Sequence, residues 1–213
     1  SVTDNWAWST YDWTCDWSNG WTNASCSATH SNPVYDIANS LRFNDDDSAY
    51  LSRSVWASWN KRKMTFSSWF KPWAIDSNPK TLFGTTQVSN GSFIYYKDSA
   101  IWVRHRGYNC DSTSLSITDA SAWYHLVVIY DIDNATVSER CKIWLDGNLL
   151  TINSDQRSLW SWDSYFNNSW YTQYIGRDTA SYLDGHLSEV HFIDGQALDP
   201  TNFGEDDGGT WKA

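Results

Sequence analysis

Residues 123–131 read WYHLVVIYD, an almost uninterrupted run of apolar and aromatic side chains. In an extended strand, successive side chains point to opposite faces. Both faces here are mostly apolar, with Trp123, His125, Val127 and Ile129 on one and Tyr124, Leu126, Val128 and Tyr130 on the other. A strand with two apolar faces is typical of the middle of a sheet that is covered on both sides. The stretch therefore predicts a central strand of a β-sandwich.

Short segments rich in β-branched and aromatic residues lie on both sides of this strand and predict further strands. They are residues 40–43, 49–53, 64–71, 81–86, 92–97, 100–106, 141–146, 173–178 and 187–194. Turn residues separate several of them, as at Asn90-Gly91, 97–99, 146–148 and Asp184-Gly185. Asp199 as an N-cap before Pro200 predicts one short helical turn near the C-terminus. The pattern predicts an all-β, two-sheet antiparallel jelly-roll sandwich.

The charge balance excludes some partners. The 213-residue chain has a net charge of −10, which repels phosphate backbones and anionic membrane surfaces. We therefore expect no nucleic-acid partner. The chain also contains no run of about 18 apolar residues, so we expect no membrane insertion. A chain of this length is ordinary for one large all-β domain.

Four cysteines allow three disulfide pairings. Cys15 and Cys26 lie close together in an irregular polar segment, which makes them disulfide candidates. Cys141 shares its strand face with Ile143 and Leu145 and is expected to face a core. Whether it pairs with Cys110 or both remain buried free thiols stays open at this point.

Two irregular segments carry an unusual number of tryptophans. The first, residues 1–35, contains Trp6, Trp8, Trp13, Trp17 and Trp21. For these we favour packing as a cover on the sandwich or at a subunit interface, where tryptophan is enriched, over stacking on a sugar.

The second irregular segment, residues 152–172, is a long loop of the kind that carries binding sites on rigid scaffolds. Its candidate glycan-binding residues are Trp160, Trp162, Asp163, Tyr165, Asn167 and Trp170. The aromatic rings would stack on sugar faces while Asp163 and Asn167 take hydroxyl groups. A subunit interface is an equal alternative for this loop.

Four stretches carry a family resemblance when they are taken in order. They are SLRFNDDDSAYLSR (40–53), MTFSSWFK (64–71), AWYHLVVIYDIDNATVSERCKIWLDGNLL (122–150) and YIGRDTASYLDGHLSEVHFIDGQALDPTNFGE (174–205). Over residues 36–206 the chain resembles laminin-G-like, concanavalin-A-like jelly-roll domains. More narrowly, it resembles those of structural proteins from tailed phages and marine viruses. The closing EVHFIDGQALDPTNFGE (189–205) is the most specific part, whereas residues 1–35 and the tryptophans of 152–172 depart from the pattern.

The resemblance implies a virion-surface protein, such as a tail fibre, an adhesin or a capsid decoration protein, that often binds host glycans. Catalysis is not expected. Jelly-roll glucanases place paired carboxylates on one strand as Glu-x-Asp-x-x-Glu or Glu-x-Asp-x-Glu. This chain has only the three isolated glutamates Glu139, Glu189 and Glu205.

A calcium ion is considered at Asp45, Asp46 and Asp47, because these residues concentrate hard oxygen ligands between two strands. The favoured interpretation is a solvated turn capped by an Asx side chain. No other cofactor is indicated by the residues.

We therefore predict an aromatic-rich N-terminal segment (1–35), a laminin-G-like jelly roll (36–206) and a C-terminal tail (207–213). The expected function is a non-enzymatic, lectin-like virion structural protein, located on the virion surface or otherwise extracellular. The expected partners are copies of itself, other virion proteins and a host-surface glycan. The alternative is a free secreted carbohydrate-binding lectin module.

Overall fold

The computed structural model describes residues 10–15, 24–29, 37–86, 90–113 and 116–213. The chain divides into two compact units, Ser1–Asp36 and Ile37–Ala213. In the first unit, β1 (Thr10–Cys15) pairs with β2 (Ala24–Thr29) as an antiparallel hairpin. The predicted Cys15–Cys26 disulfide stays a prediction, since only the backbone is described there. The register of the β1–β2 pairing places Cys15 opposite Ala24 and Cys26 opposite Trp13.

The second unit is built from short strands and from 3₁₀ turns at Val137–Glu139, Arg157–Leu159 and Pro200–Asn202. The strands are β3 (Leu41–Phe43), β4 (Leu51–Arg53), β5 (Lys63–Pro72), β6 (Lys80–Thr85), β7 (Phe93–Lys97), β8 (Ala100–His105), β9 (Tyr108–Ser112), β10 (Tyr124–Asp131), β11 (Cys141–Leu145), β12 (Asn148–Leu149), β13 (Ile152–Asp155), β14 (Gln173–Ile175), β15 (Gly185–Asp194), β16 (Glu205–Asp207) and β17 (Thr210–Lys212). Within the described residues, no helix is long or apolar enough to cross a membrane.

Two antiparallel sheets form the sandwich. The six-stranded sheet has the order β12-β11-β10-β5-β15-β3, and the seven-stranded sheet has the order β13-β9-β8-β7-β6-β14-β4. The predicted all-β, two-sheet antiparallel sandwich is confirmed, and each of the predicted segments contains a strand. Sequence patterning missed β9 and β13, which are short and polar.

The predicted central strand is correct. Every residue of β10 is buried, and β10 lies between β11 and β5 in the six-stranded sheet. Tyr124, Leu126, Val128 and Tyr130 face the seven-stranded sheet and join the core. Because both faces of β10 are covered, its sequence does not alternate between apolar and polar residues.

Two-residue turns connect β7 to β8 and β8 to β9. Asp98 and Ser99 have φ angles of 49° and 64°, and Arg106 and Gly107 have φ angles of 50° and 91°. Positive φ at both turn positions is the type I′ geometry, whose twist matches that of the strands it joins. These tight turns hold the neighbouring strands β7, β8 and β9 in register, which matters for the site described below.

The C-terminal residues depart from the prediction of a tail at 207–213. β16 and β17 form a hairpin, and its Trp211 packs against the outer face of the six-stranded sheet. The Trp211 indole donates a hydrogen bond to His125 Nδ1 at 2.7 Å, and the two rings stack 5.9 Å apart. The hairpin therefore supplies cover for the outer side of β10. Asp199 precedes the 3₁₀ turn as predicted, but its side chain makes no capping hydrogen bond.

Cys110 and Cys141 are both buried free thiols, one in each sheet. The Cys110 thiol donates to the carbonyl oxygen of Cys141 at 3.9 Å, so the two residues meet across the core. Burial raises the pKa of the Cys141 thiol well above its usual range, which keeps it protonated and unreactive.

Candidate functional site

Among the residues that the structure describes, two loops at one end of the sandwich present the most exposed large aromatic side chains. We call the loops 54–62 and 161–172 together the aromatic rim. Trp56 is fully exposed, and Trp170, Trp162 and Trp59 are 86%, 67% and 62% exposed. Concentrated apolar exposure of this kind is typical of an interaction surface.

Hydrogen bonds between the two loops fix the rim. The backbone N–H of Trp59 donates to the carbonyl of Asn167 at 3.2 Å, and that of Ser164 donates to the carbonyl of Lys61 at 2.9 Å. The Ser58 hydroxyl lies 3.0 Å from the Ser169 hydroxyl and accepts a hydrogen bond from the Ser169 backbone N–H. The exposed tryptophans on both loops are therefore carried by one connected backbone.

Asn167 anchors the rim to the sandwich. Its backbone has a φ of 55°, a conformation that asparagine tolerates better than most residues. Its buried amide donates to Asp194 Oδ1 at 2.6 Å, and the same Asp194 oxygen accepts from the Asn60 backbone N–H at 3.1 Å. Asn167 was a candidate ligand residue in the sequence, but its amide is committed to these structural bonds.

Asp163 serves a comparable structural role. Its carboxylate lies 2.7 Å from Lys61 Nζ and 3.3 Å from Arg62 Nη1. The hydrogen bond from Lys61 is the main reason that the pKa of Asp163 lies below its usual range. The paired charges tie the start of the second loop to the end of the first. The side chain is still 44% exposed, so one edge of the carboxylate faces solvent.

Trp160 requires a correction. The sequence places it among sugar-stacking residues, but its side chain has no exposed surface. Its ring lies 5.0 Å from that of Tyr130 and 5.1 Å from that of His105, inside the core. Arg140 Nη1 also donates to the Trp160 carbonyl at 3.2 Å. A ring enclosed in this way has no face left for a ligand.

The remaining predicted residues divide between rim surface and rim support. Trp162 and Trp170 are exposed on the rim. Tyr165 is half-buried: its ring lies 4.6 Å from the tilted ring of Tyr171 and 4.5 Å from the Arg106 guanidinium. The structure thus keeps two of the predicted aromatic residues as ligand candidates and assigns the others to packing.

Sequence reasoning missed Trp56 and Trp59. Their segment, SVWASWNKR (54–62), lies between predicted strands and is not among the candidate binding segments of the sequence. The structure shows both side chains exposed. Trp59 lies between Ser58 and Asn60, a polar context like that of Trp162, and this was a signal available in the sequence. Trp56 lies between Val55 and Ala57, so its neighbours gave no such signal.

An apolar cavity of about 150 Å³ adjoins the rim. Val55, Phe83, Phe192 and Ile175 supply most of its apolar wall, and Asn167 and Gln173 line its polar side. The cavity shares Val55 and Asn167 with the two rim loops. A ligand that stacks on the rim therefore has an apolar recess next to it.

The acidic stretch 45–47 is organised by contacts within the protein. Asp45 lies 2.8 Å from the buried ammonium of Lys80, and this hydrogen bond holds the pKa of Asp45 below its usual range. Asn44 accepts a hydrogen bond from the Asp46 N–H at 3.2 Å and donates to Asp47 Oδ2 at 2.9 Å. The Lys80 ammonium thus supplies the positive charge beside Asp45 that a calcium ion would otherwise supply. Among the described residues, no three His, Cys, Asp or Glu side chains cluster as metal ligands.

The three glutamates lie in different local settings. Glu139 pairs with Lys142, Glu189 lies 3.5 Å from His191, and Glu205 begins β16. The predicted cover residues Trp6, Trp8, Trp13, Trp17 and Trp21 lie outside the side chains that the structure describes, so their role stays a prediction.

The comparisons with known proteins agree with this architecture. A family model described as the concanavalin A-like lectin/glucanases superfamily matches residues 43–202. The chain belongs to that superfamily. No curated protein matches the sequence.

Two solved structures illustrate the shared fold. One is the binding domain of botulinum neurotoxin serotype D, with a TM-score of 0.54 and 11% identity over 81% of this chain and 42% of that one. The other is the LG4-5 region of the mouse laminin alpha1 chain, with a TM-score of 0.51 and 14% identity over 84% and 47%. This chain corresponds to less than half of either structure, and at such identities the likeness concerns the fold alone.

Proposed function

We propose that this chain is a non-enzymatic carbohydrate-binding module of a virion surface protein, such as a tail fibre, an adhesin or a capsid decoration protein. The observation that carries the binding role is the aromatic rim, with Trp56, Trp59, Trp162 and Trp170 all largely exposed. Indole rings offer large flat apolar faces with one polar N–H at the edge. Sugar rings present complementary apolar faces edged by hydroxyl groups.

The rigidity of the rim supports the same role. The two loops are joined by backbone hydrogen bonds and by the Asp163 ion pairs, so the indoles are displayed on a fixed platform. Preorganisation of this kind lowers the entropy lost when a ligand orders the surface that binds it.

The non-enzymatic part of the proposal rests on the carboxylates. The superfamily contains both lectins and glucanases, so membership alone does not decide between them. Hydrolysis of a glycosidic bond uses two carboxyl groups placed across that bond. Glu139, Glu189 and Glu205 instead lie on separate elements, and the first two are engaged by neighbouring basic side chains.

The virion context is supported by the closing stretch EVHFIDGQALDPTNFGE, which resembles the corresponding stretch of phage and marine-virus structural domains. On a virion the rim would face a host-surface glycan. The chain would form a homo-oligomer, and this oligomer would contact other virion proteins. A free secreted lectin is the alternative, and it differs in being a monomer away from any particle.

The first experiment separates ligand binding from assembly. The full chain is sized by light scattering and then applied to a glycan array, together with the variants Trp170→Ala and Trp56→Ala. Loss of one stacked aromatic anchor is expected to weaken glycan binding by about tenfold or more while the fold is retained.

Trp123→Ala is the matched control. Trp123 is also partly exposed, but it immediately precedes β10, whose first residue pairs with the far end of β5 from the rim. Its loss should leave glycan binding unchanged. If the wild type binds no glycan and Trp170→Ala instead converts an oligomer into a monomer, the rim is a subunit interface and the carbohydrate-binding proposal fails.

A further inference from the structure

The outer face of the seven-stranded sheet carries a second group of polar and aromatic residues, away from the core. In the β8–β9 pairing, Trp102 lies opposite Asp111 and Arg104 lies opposite Asn109. Between them Val103 lies opposite Cys110, and both point into the core. Because side chains alternate along a strand, the other four residues share the outer face.

The same row extends across two more strands. Tyr95 of β7 lies opposite Trp102, and their rings stack 5.8 Å apart. Ser154 of β13 lies opposite Asp111 on the other side. We call the row Tyr95, Trp102, Asp111 and Ser154 the outer row. It runs across four adjacent strands, so regular sheet hydrogen bonding fixes its spacing.

Several polar atoms of this face have no hydrogen-bond partner in the described part of the chain. They are both carboxylate oxygens of Asp111, the amide oxygen of Asn109, the indole N–H of Trp102 and Nε of Arg104. Buried polar groups in folded proteins are nearly always paired, since an unpaired group loses its hydration without replacement. Asp111 is the extreme case, because its carboxylate is only 2% exposed and no well-formed hydrogen bond from the described residues reaches either oxygen, although the nearby Ser154 hydroxyl acts to lower its pKa.

A cavity of about 210 Å³ adjoins Trp102, Asp111 and Ser154 of the outer row. Its walls also include Asn109, with Asp98 and Asn153 at the more exposed side. This volume is many times the ~10–15 Å³ that a cavity needs to hold one water, so there is room for a small ligand.

The mixture of free donors and acceptors restricts the ligand. An anion would meet the Asp111 carboxylate, and among the described residues a metal cation would find fewer than three carboxylate, imidazole or thiolate ligands. Hydroxyl groups both donate and accept, so one neutral polyhydroxyl ligand can donate to Asp111 and Asn109 and accept from the Trp102 indole N–H. We propose that the cavity over the outer row is a binding site for a single neutral sugar residue, separate from the aromatic rim.

This inference rests on the proposed carbohydrate-binding function for the class of ligand and extends it to a second location. The rim offers flat apolar faces without free buried polar groups and suits stacking. The outer row offers directed hydrogen bonds in a partly open recess and suits discrimination among hydroxyl arrangements. Two unlike sites on one domain would let a branched or extended glycan be held at two points.

The test follows the indole N–H resonance of Trp102 by NMR in the full-length chain. Glucose, galactose and mannose are added separately at up to tens of millimolar, with glucuronate and Ca²⁺ as charged probes. One of the neutral hexoses is expected to shift this resonance. Asp111→Asn and Asn153→Ala are each expected to reduce the affinity by about tenfold, whereas Trp170→Ala leaves the Trp102 shift unchanged.

Asn153→Ala guards against a folding artefact, because Asn153 is an exposed side chain at the cavity wall. If hexoses shift only rim indoles and Asp111→Asn has no effect, the outer-row site is overturned while the rim proposal stands. If glucuronate or Ca²⁺ shifts Trp102 and neutral hexoses do not, the ligand class is wrong. If no sugar shifts any indole, both proposals fall.

Discussion

Replacing Asp111 by Asn is expected to stabilise the free protein at neutral and alkaline pH. Asn has nearly the shape of Asp and carries no charge. In the folded chain the Asp111 carboxylate is buried, and no well-formed hydrogen bond replaces its lost hydration, so its ionised form costs more there than its neutral form. Burial accordingly raises the pKa of Asp111 to about 7, against the opposing effects of the Ser154 hydroxyl and the Arg104 charge.

The magnitude follows from the two protonation equilibria. The ordinary pKa of this carboxyl is 3.8 and the folded value is about 7. A difference of about 3 units at about 1.4 kcal/mol each sets an upper limit of about 4 kcal/mol. The folded state holds the proton more tightly, so the free energy of unfolding falls as pH rises from about 4 to about 7 and then stays constant. Asp111→Asn lacks this decline.

Differential scanning calorimetry of both proteins between pH 4 and pH 8 measures the effect. Other titrating groups, including His105 and His125, act alike in the two proteins, so the difference in Tm isolates Asp111. The gap should be near zero at pH 4 and widen to an upper limit of roughly 8–16 °C above pH 7. Two Tm curves that stay parallel over the whole range would contradict this prediction, because Asp111 would then be ionised at no cost.

Other residues give sharper contrasts. Trp160→Ala should destabilise the protein by about 3–5 kcal/mol in urea unfolding, whereas Trp162→Ala should change it by less than about 0.5 kcal/mol; equal effects would contradict the burial of Trp160. Burial lowers the pKa of His105 to about 3 and of His125 to about 4, so stability should be lost as pH falls from about 6.5 toward those values; a flat Tm over that range in Asp111→Asn would contradict this. Trp211→Phe removes the indole donor to His125 and should cost about 1 kcal/mol and move the NMR-measured pKa of His125; an unchanged titration would contradict the contact.

The relation between sequence and fold differs among the strands. The long strands β5, β10 and β15 were predictable because their apolar side chains must be buried on at least one face, which leaves a periodic signal. β9 and β13 were not predicted, because they are short and polar. They form strands because the neighbouring strands offer hydrogen-bond partners along their edges. The C-terminal hairpin was not predicted for a similar reason. Trp211, which packs on His125, is the large aromatic residue in an otherwise polar segment.

Side-chain patterns were enough to predict the fold class, the central position of WYHLVVIYD and the presence of aromatic side chains in polar loops. They did not show which of those aromatic side chains are exposed, because Trp160 and Trp162 stand two residues apart in the same polar context. In the folded chain the Trp160 ring fills the core beside Tyr130, whereas the Trp162 ring faces solvent. The outer row depends even more on tertiary structure, because its members come from four strands and meet only through sheet register. Local side-chain patterns fix how a segment folds, but a site built across strands is fixed by which strands pair and in what register.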